Sequence, residues 1–278
     1  MPKYNWVENY IFINQEGKKI NMTKNTPIVL IIGGHDPTGG AGVLADAQTL
    51  VMNGCYPISL ITCLTAQNTI NFESIKVTDT KFFNKIAKVL LKDIPLINAI
   101  KIGALGNEEI VQVVKEIIIN CKNTPVVLDP VIETSSGGSL INNEGLSEMK
   151  YKLLSNVDLI TPNIKEAKTL TGKHNQQEII QELNKVKSNF VLIKDNEKRN
   201  KIENSLFKKN EFIKKWEISK VKGKFQGTGC SMSSSIASNL AKGLRMQESI
   251  ELAQNSVYQS LQNAIDLGSG QKIPKRFK

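Results

Sequence analysis

Apolar residues in this chain gather in short continuous runs, and between the runs they recur every three or four positions. Residues 27–34, PIVLIIGG, form a nearly all-apolar run, as expected of a strand buried on both faces. GAGVLADAQTLVMNG follows, with Leu44, Ala47, Leu50 and Val51 spaced for one helical face and Gly54 as its stop. ISLIT (58–62) reads as a strand and TKFFNKIAKVLLKD (80–93) as a helix. NAIKIG (98–103) and PVVLDP (125–130) are short strands. The segment NEEIVQVVKEIIINCK between them is a helix with Asn107 as N-cap and acids in its first turn. LITPN (159–163) and FVLIK (190–194) continue the alternation. Near the end, Met232, Ile236 and Leu240 recur at helical spacing before Lys242 and Gly243 supply a stop. Short strands alternating with longer helices predict an α/β fold, a mainly parallel central sheet with helices on both faces. No repeat, linker or composition break divides the pattern, so 28–270 is expected to be a single domain. Residues 1–27 are an N-terminal extension, expected as either a short hairpin or a loose tail.

Composition narrows the class. The chain has 278 residues, enough for a large core, and its 40% hydrophobic and 22% charged content describes a globular protein. Cys55, Cys63, Cys121 and Cys230 include no CxxC pair, which fits a reduced, cytoplasmic setting. Residues 1–27 lack the apolar core of a signal peptide, and no later run is long enough to cross a membrane. The formal net charge of +10 raises the question of nucleic acid. Its lysines are densest in 194–224, where acidic residues interrupt them and no aromatic platform accompanies them. They read as a solvated surface that attracts phosphorylated ligands, and neither nucleic acid nor membrane is an expected partner.

Candidate chemistry collects where the strands end, the place at which ligands bind in such sheets. Asp36 stands in the glycine-rich turn HDPTGGAG, and Gln67 lies in LTAQNT. Asp129 closes PVVLDP, Asn163 and Glu166 follow LITP, and Lys194 ends FVLIK. Each also has a structural reading: Asp129-Pro130 as a turn, Asn163 to Glu166 as a capping box, the glycines as ordinary bends. The stretch QGTGCSM is different. Gly227, Thr228 and Gly229 lead into a helix, so their N–H groups face outward at the positive end of its dipole, with Cys230 beside them. That arrangement holds an anion or makes a tight turn over a buried cysteine.

These stretches together resemble the hydroxymethylpyrimidine and phosphomethylpyrimidine kinases of thiamine biosynthesis, which have the three-layer ribokinase-like fold. GGHDPTGGAGVLAD, GCYPISLITCLTAQNT, IKIGALG, PVVLDPVIETSSGGSLI, LITPNIKEAKTLTG and FQGTGCSMSSSIASNLAKG appear in family order and cover most of 28–265. The resemblance implies ATP as co-substrate, Mg²⁺ as cofactor, a small pyrimidine as acceptor and a homodimer. It implies that the N–H groups of Gly227, Thr228, Gly229 and Cys230 form an anion hole, with Cys230 as the proton acceptor. The helix dipole is expected to lower the pKa of that thiol. Asp36 and Gln67 match positions around the pyrimidine. Asn163 and Glu166 match an element that organises Mg²⁺ and the ATP phosphates, with Asp129 beside it as a second metal carboxylate, directly or through water. Lys194 matches a lysine that meets the polyphosphate. Three positions depart from the family pattern: Asp195-Asn196-Glu197 replace Gly-Gly-His, Lys224-Phe225-Gln226 replace Asn-Thr-His, and Ala104 replaces a methionine. The smaller Ala104 implies a roomier acceptor pocket. A pyridoxal-type vitamin kinase and a non-catalytic pyrimidine-binding relative stay open as alternatives.

Overall fold

The computed structural model describes residues 11–13, 19–21, 26–186 and 189–277. Two short strands, β1 (Ile11–Ile13) and β2 (Lys19–Asn21), pair antiparallel with each other; the rest of the N-terminal extension lies outside the described residues. The chain then runs through β3 (Ile28–His35), α1 (Gly42–Met52), β4 (Tyr56–Gln67), β5 (Phe72–Val77), α2 (Thr80–Asp93) and β6 (Ala99–Ile102). Next come α3 (Glu108–Asn120), β7 (Val126–Leu128), α4 (Asn143–Glu148), β8 (Leu159–Ile160), α5 (Ile164–Thr171) and α6 (Gln176–Lys185). It finishes with β9 (Phe190–Lys198), β10 (Lys201–Lys208), β11 (Glu211–Ser219), α7 (Thr228–Ala241) and α8 (Met246–Gln262).

Nine strands form one sheet in the order β11-β10-β9-β8-β7-β6-β3-β4-β5. The six strands from β9 to β4 run parallel, while β5 at one edge and β10 and β11 at the other are antiparallel. Alternate side chains divide the core into two layers, because successive residues of a strand point to opposite faces. Leu30, Ile32, Ile100, Ile102 and Leu128 pack with α2, α3, α5 and α6 on one face. Val29, Ile31, Ala99, Val127 and Leu192 pack with α1, α7 and α8 on the other. The expected three layers are present.

Two expectations need correction. In α1 the buried face carries Val43, Ala45, Asp46, Thr49 and Leu50, while Leu44 is 40% and Val51 61% exposed. Leu50 is buried and Ala47 packs against the core as the spacing implies, but Leu44 and Val51 turn outward, because small and polar residues line the tight contact with α7. The charged stretch after Lys194 completes β9 and forms β10 and β11, a three-stranded antiparallel meander. The packed unit also runs past 270: Ile273 and Arg276 are buried at 4% and 2% exposure.

The site follows from the strand order. After β3 the chain moves to one side to form β4, then returns to the other side of β3 for β6. At such a switch point the loops leave in opposite directions and open a crevice beyond the carboxyl ends of the strands.

Candidate active site

A cleft of about 390 Å³ opens at this switch point. Every residue selected from the sequence lines it: Asp36, Gln67, Asp129, Asn163, Glu166, Lys194, Gly227, Thr228, Gly229 and Cys230. They converge because each lies at or past the end of the parallel-paired part of a strand, or starts the helix that faces those ends. On β4, the period of two places Cys63, Thr65 and Gln67 along the same cleft wall. Ala104 also lines the cleft, packing with Cys63 and Leu140 and against Val131.

Asp36 is 3% exposed, and its carboxylate is taken up by its own loop. Oδ1 accepts from the N–H and hydroxyl of Thr38 at 2.9 and 2.8 Å. Oδ2 accepts from the N–H of Ala41 and from Gln226 Nε2, both at 2.8 Å. In this structure Asp36 shapes the glycine-rich loop. Gln226, one of the departures from the family pattern, is its partner across the cleft floor.

Helix α7 starts at Thr228 with Gly227 as its N-cap, and no side chain caps it. The first N–H groups of a helix have no intrahelical acceptor, so this end presents donors to the cleft. Gly227 has φ of 73°, and a Cβ there would lie 1.9 Å from Gly40 O. Only glycine fits. Cys230 is 8% exposed, and burial pushes its thiol up to about 11; Lys101 opposes this, while Asp46 and Asp129 add to it. The expected lowering is therefore corrected: desolvation and two carboxylates outweigh Lys101 and the hydrogen bond from the Gly42 backbone.

Two buried ion pairs flank Cys230. Lys101 Nζ donates to Asp46 Oδ2 at 2.7 Å, and the Ser234 hydroxyl donates to Asp46 Oδ1 at 2.8 Å. Burial works against the Lys101 ammonium, but the Asp46 carboxylate outweighs it and holds Lys101 above its ordinary value. On the other side, Lys194 Nζ donates to Asp129 Oδ1 at 2.5 Å, with the Thr161 hydroxyl donating to the same oxygen at 3.2 Å. Burial works to raise the Asp129 carboxyl; Lys194, then Lys101, outweigh it and hold it below its usual range. A Cβ at Gly229 would stand 2.9 Å from Lys194 Nζ and 3.3 Å from Asp129 Oδ2, so this pair touches the helix start.

Asn163 and Glu166 do form a capping box. Asn163 Oδ1 accepts from the N–H of Glu166, and Glu166 Oε2 accepts from that of Asn163, each at 2.8 Å. The structural reading is correct as far as it goes, yet the same carboxyl lines the cleft. Burial pushes it up to about 7, against the pull of Lys194 and with the help of Asp129.

Beyond Thr228 and Gly229 lies a narrower apolar slot, walled by Ile202, Ile218, Val221, Met232, Val257, Tyr258 and Leu261. Lys194, Asp195, Thr228 and Gly229 border both spaces. Asn204 Oδ1 accepts from the N–H of Asp195 at 2.9 Å, which fixes the orientation of its amide. Its Nδ2 then donates to Gln254 Oε1 at 2.8 Å, and Gln254 Nε2 is left buried without a partner on the slot. Such an orphan donor fits a ligand acceptor.

Sequence reasoning passed over Asp46, Lys101, Gln254 and Arg276, and noted Gln226 only as a departure from the family pattern. Asp46 and Lys101 sit inside apolar elements, where a single charge between hydrophobic residues was the available signal. Gln254 and Arg276 carried none.

A mainly parallel sheet whose switch-point cleft meets an apolar slot at a helix start is the architecture of the ribokinase-like small-molecule kinases. The pyridoxal kinase of Staphylococcus aureus, solved in complex with AMP-PCP, shares this fold with a TM-score of 0.81 at 22% identity, over 90% of this chain and 93% of that one. The chain belongs to the phosphomethylpyrimidine kinase family, whose model matches residues 36–275. It is 32% identical to the hydroxymethylpyrimidine/phosphomethylpyrimidine kinase of Aquifex aeolicus over 252 residues, 88% of this chain and 98% of that protein. The solved phosphomethylpyrimidine kinase of Clostridium difficile is 30% identical, with a TM-score of 0.72 over 85% of this chain and all of the other. No helix among the described residues is long and apolar enough to cross a membrane.

Proposed function

We propose that this chain is a cytoplasmic kinase of thiamine biosynthesis. It transfers the γ-phosphoryl group of ATP to the hydroxymethyl oxygen of 4-amino-5-hydroxymethyl-2-methylpyrimidine, and then a second one to the monophosphate. The observation that carries this reading is the start of α7, which stands between an acceptor-sized cleft and an apolar slot. The cleft takes the pyrimidine, with Gln67 facing its ring and Ala104 and Val131 beneath it. The slot takes the flat adenine base, whose ring nitrogens offer acceptors to Gln254 Nε2.

In the first step the alcohol oxygen attacks the γ-phosphorus, the bond to the bridging oxygen of ADP breaks, and the alcohol proton passes to the thiolate form of Cys230, which becomes the neutral thiol. The N–H groups of Thr228, Gly229 and Cys230 hold the oxygens of the group in transfer, and the Lys194 ammonium adds charge beside them. Glu166 and Asp129 fit Mg²⁺. Both are carboxyls on one cleft wall, and a cation ionises the carboxyl that burial has left half protonated near neutrality. Mg²⁺ commonly takes only one or two carboxylates and keeps several of its waters beside substrate phosphate. When bound, Mg²⁺ neutralises charge on the phosphates.

A coupled ADP-release assay across both pyrimidines, pyridoxal and pyridoxine tests the reading. Turnover on both pyrimidines is expected. Turnover on pyridoxal alone moves the chain to the vitamin-kinase alternative, and binding without turnover makes it a non-catalytic relative. Within that assay, Cys230→Ala should lower the first step about 10²–10⁴-fold, the usual contribution of a positioned base. The second acceptor is already an ionised phosphate oxygen, so its rate should be largely kept. Equal losses would assign Cys230 a structural role.

A further inference from the structure

Arg276 lies one residue beyond the span matched by the family model and is 2% exposed. Its guanidinium donates to four groups, two on the glycine-rich loop and two at the start of α7. Nε reaches Ser231 Oγ at 2.7 Å, and Nη1 reaches Gly39 O at 3.2 Å. Nη2 is shared between Gly40 O at 2.8 Å and Gly227 O at 3.2 Å. All four acceptors are neutral. A buried guanidinium ordinarily meets a carboxylate; here its charge is met by carbonyl dipoles and stays directly behind the start of α7.

The segment that carries Arg276 is itself fastened to the cleft walls. Gln271 N–H donates to Thr69 O at 2.9 Å, and the N–H of Gln226 donates to Lys272 O at 3.0 Å. The Ser135 hydroxyl donates to Gln271 Oε1 at 2.8 Å. The arginine therefore arrives from a held strand, not a free tail.

We propose that Arg276 is a positioning residue for phosphoryl transfer, clamping the glycine-rich loop at Gly39-Gly40 onto the cap of α7 at Gly227. The physical case rests on three carbonyl oxygens converging on one guanidinium. Without that donor the Gly40 carbonyl loses its partner and faces the like dipole of Gly227, which keeps only the Ser231 N–H and hydroxyl of its own helix, and the loops part. The loop borders the acceptor's cleft and the cap begins the anion cradle, so their spacing sets the distance between the attacking oxygen and the phosphorus. A displacement of about 1 Å between reacting groups costs on the order of 100-fold in rate.

This inference rests on the kinase reading above, and the test separates the two. Wild-type turnover tests that reading, and the ratio of variant to wild type tests this one. Arg276→Ala and Arg276→Lys are assayed as full-length proteins for kcat and KM of both acceptors and of MgATP, alongside thermal unfolding. For Arg276→Ala we expect kcat to fall about 100-fold in both steps while acceptor KM shifts less than about threefold. Arg276→Lys keeps the charge but lacks the planar fork, so it should fold yet lose about tenfold in kcat. Dilute guanidinium should restore part of the Arg276→Ala rate and leave wild type unmoved. A rise in KM with kcat intact would overturn the clamp. So would a full wild-type rate in Arg276→Lys, or a failure of guanidinium to rescue a folded Arg276→Ala protein.

Discussion

Cys230 is asked to accept a proton while its surroundings keep it neutral. With the thiol pushed up to about 11, its thiolate fraction at neutral pH is small and grows about tenfold with each unit of pH. The first phosphorylation should therefore rise with unit slope in log rate from pH 6.5 to 9, measured as single turnover (about that range, since the pKa lies above it). The second step needs no base and should show no such slope. A plateau near pH 7 in the first step would mean that substrate binding lowers the thiol far below its value in the free protein. Glu166 gives a second pH signature, in stability. Its folded pKa is raised from 4.5 to about 7, so the stability it contributes is fully present below 4.5 and is lost as pH rises through 7. Metal-free wild type should thus lose melting temperature across that window. Glu166→Gln, which still serves the capping box, should not. Parallel melting curves for the two proteins would show that burial does not strain this carboxyl.

At the scale of elements, the sequence was most legible where one element has one apolar face. Helix α2 occupies Thr80–Asp93, the bounds its spacing implies, and Asn107 caps α3 by accepting from Ile110 N–H at 3.0 Å. It was least legible at the sheet edges. Strand β4 continues through Gln67, and β5 returns beside it, in a stretch whose polar residues read as a loop. The wall those two strands build meets the 131–141 loop at one tight contact: a Cβ at Gly138 would stand 2.0 Å from the Phe72 ring. Gly138→Ala should push β5 outward and raise acceptor KM about tenfold, with kcat less affected. Adding Phe72→Ala makes room and should recover part of that loss, a coupling that a double-mutant cycle measures directly. Additive losses would mean the two residues do not share a contact in solution.

For the whole molecule, the site was legible because fold and site are the same fact. Once strands are parallel, their carboxyl ends share one side, and Asp36, Asp129, Asn163 and Lys194 must meet there. What escaped were groups whose role depends on a partner remote in sequence. Asp46 answers Lys101 across 55 positions, and Arg276 answers Gly39 across 237. No local pattern announces such a pairing.

The sheet is also open at both ends, and this gives the lysine excess a purpose unrelated to phosphate. Among the described residues, β11 borders no further strand, so one row of its backbone groups faces outward. An unguarded edge of that length is a template for another chain. Lys214 and Lys215 stand on it with side chains about two-fifths exposed, at 41% and 42%, tethered to Glu251 at 2.7 Å and Glu203 at 3.1 Å. The register also shifts between Leu206 and Phe207, bending the hairpin away from a flat ribbon. Replacing both lysines by threonine keeps strand propensity and removes the charge, so light scattering should record concentration-dependent association that wild type does not show. Two of the chain's many lysines would then be its defence against its own copies.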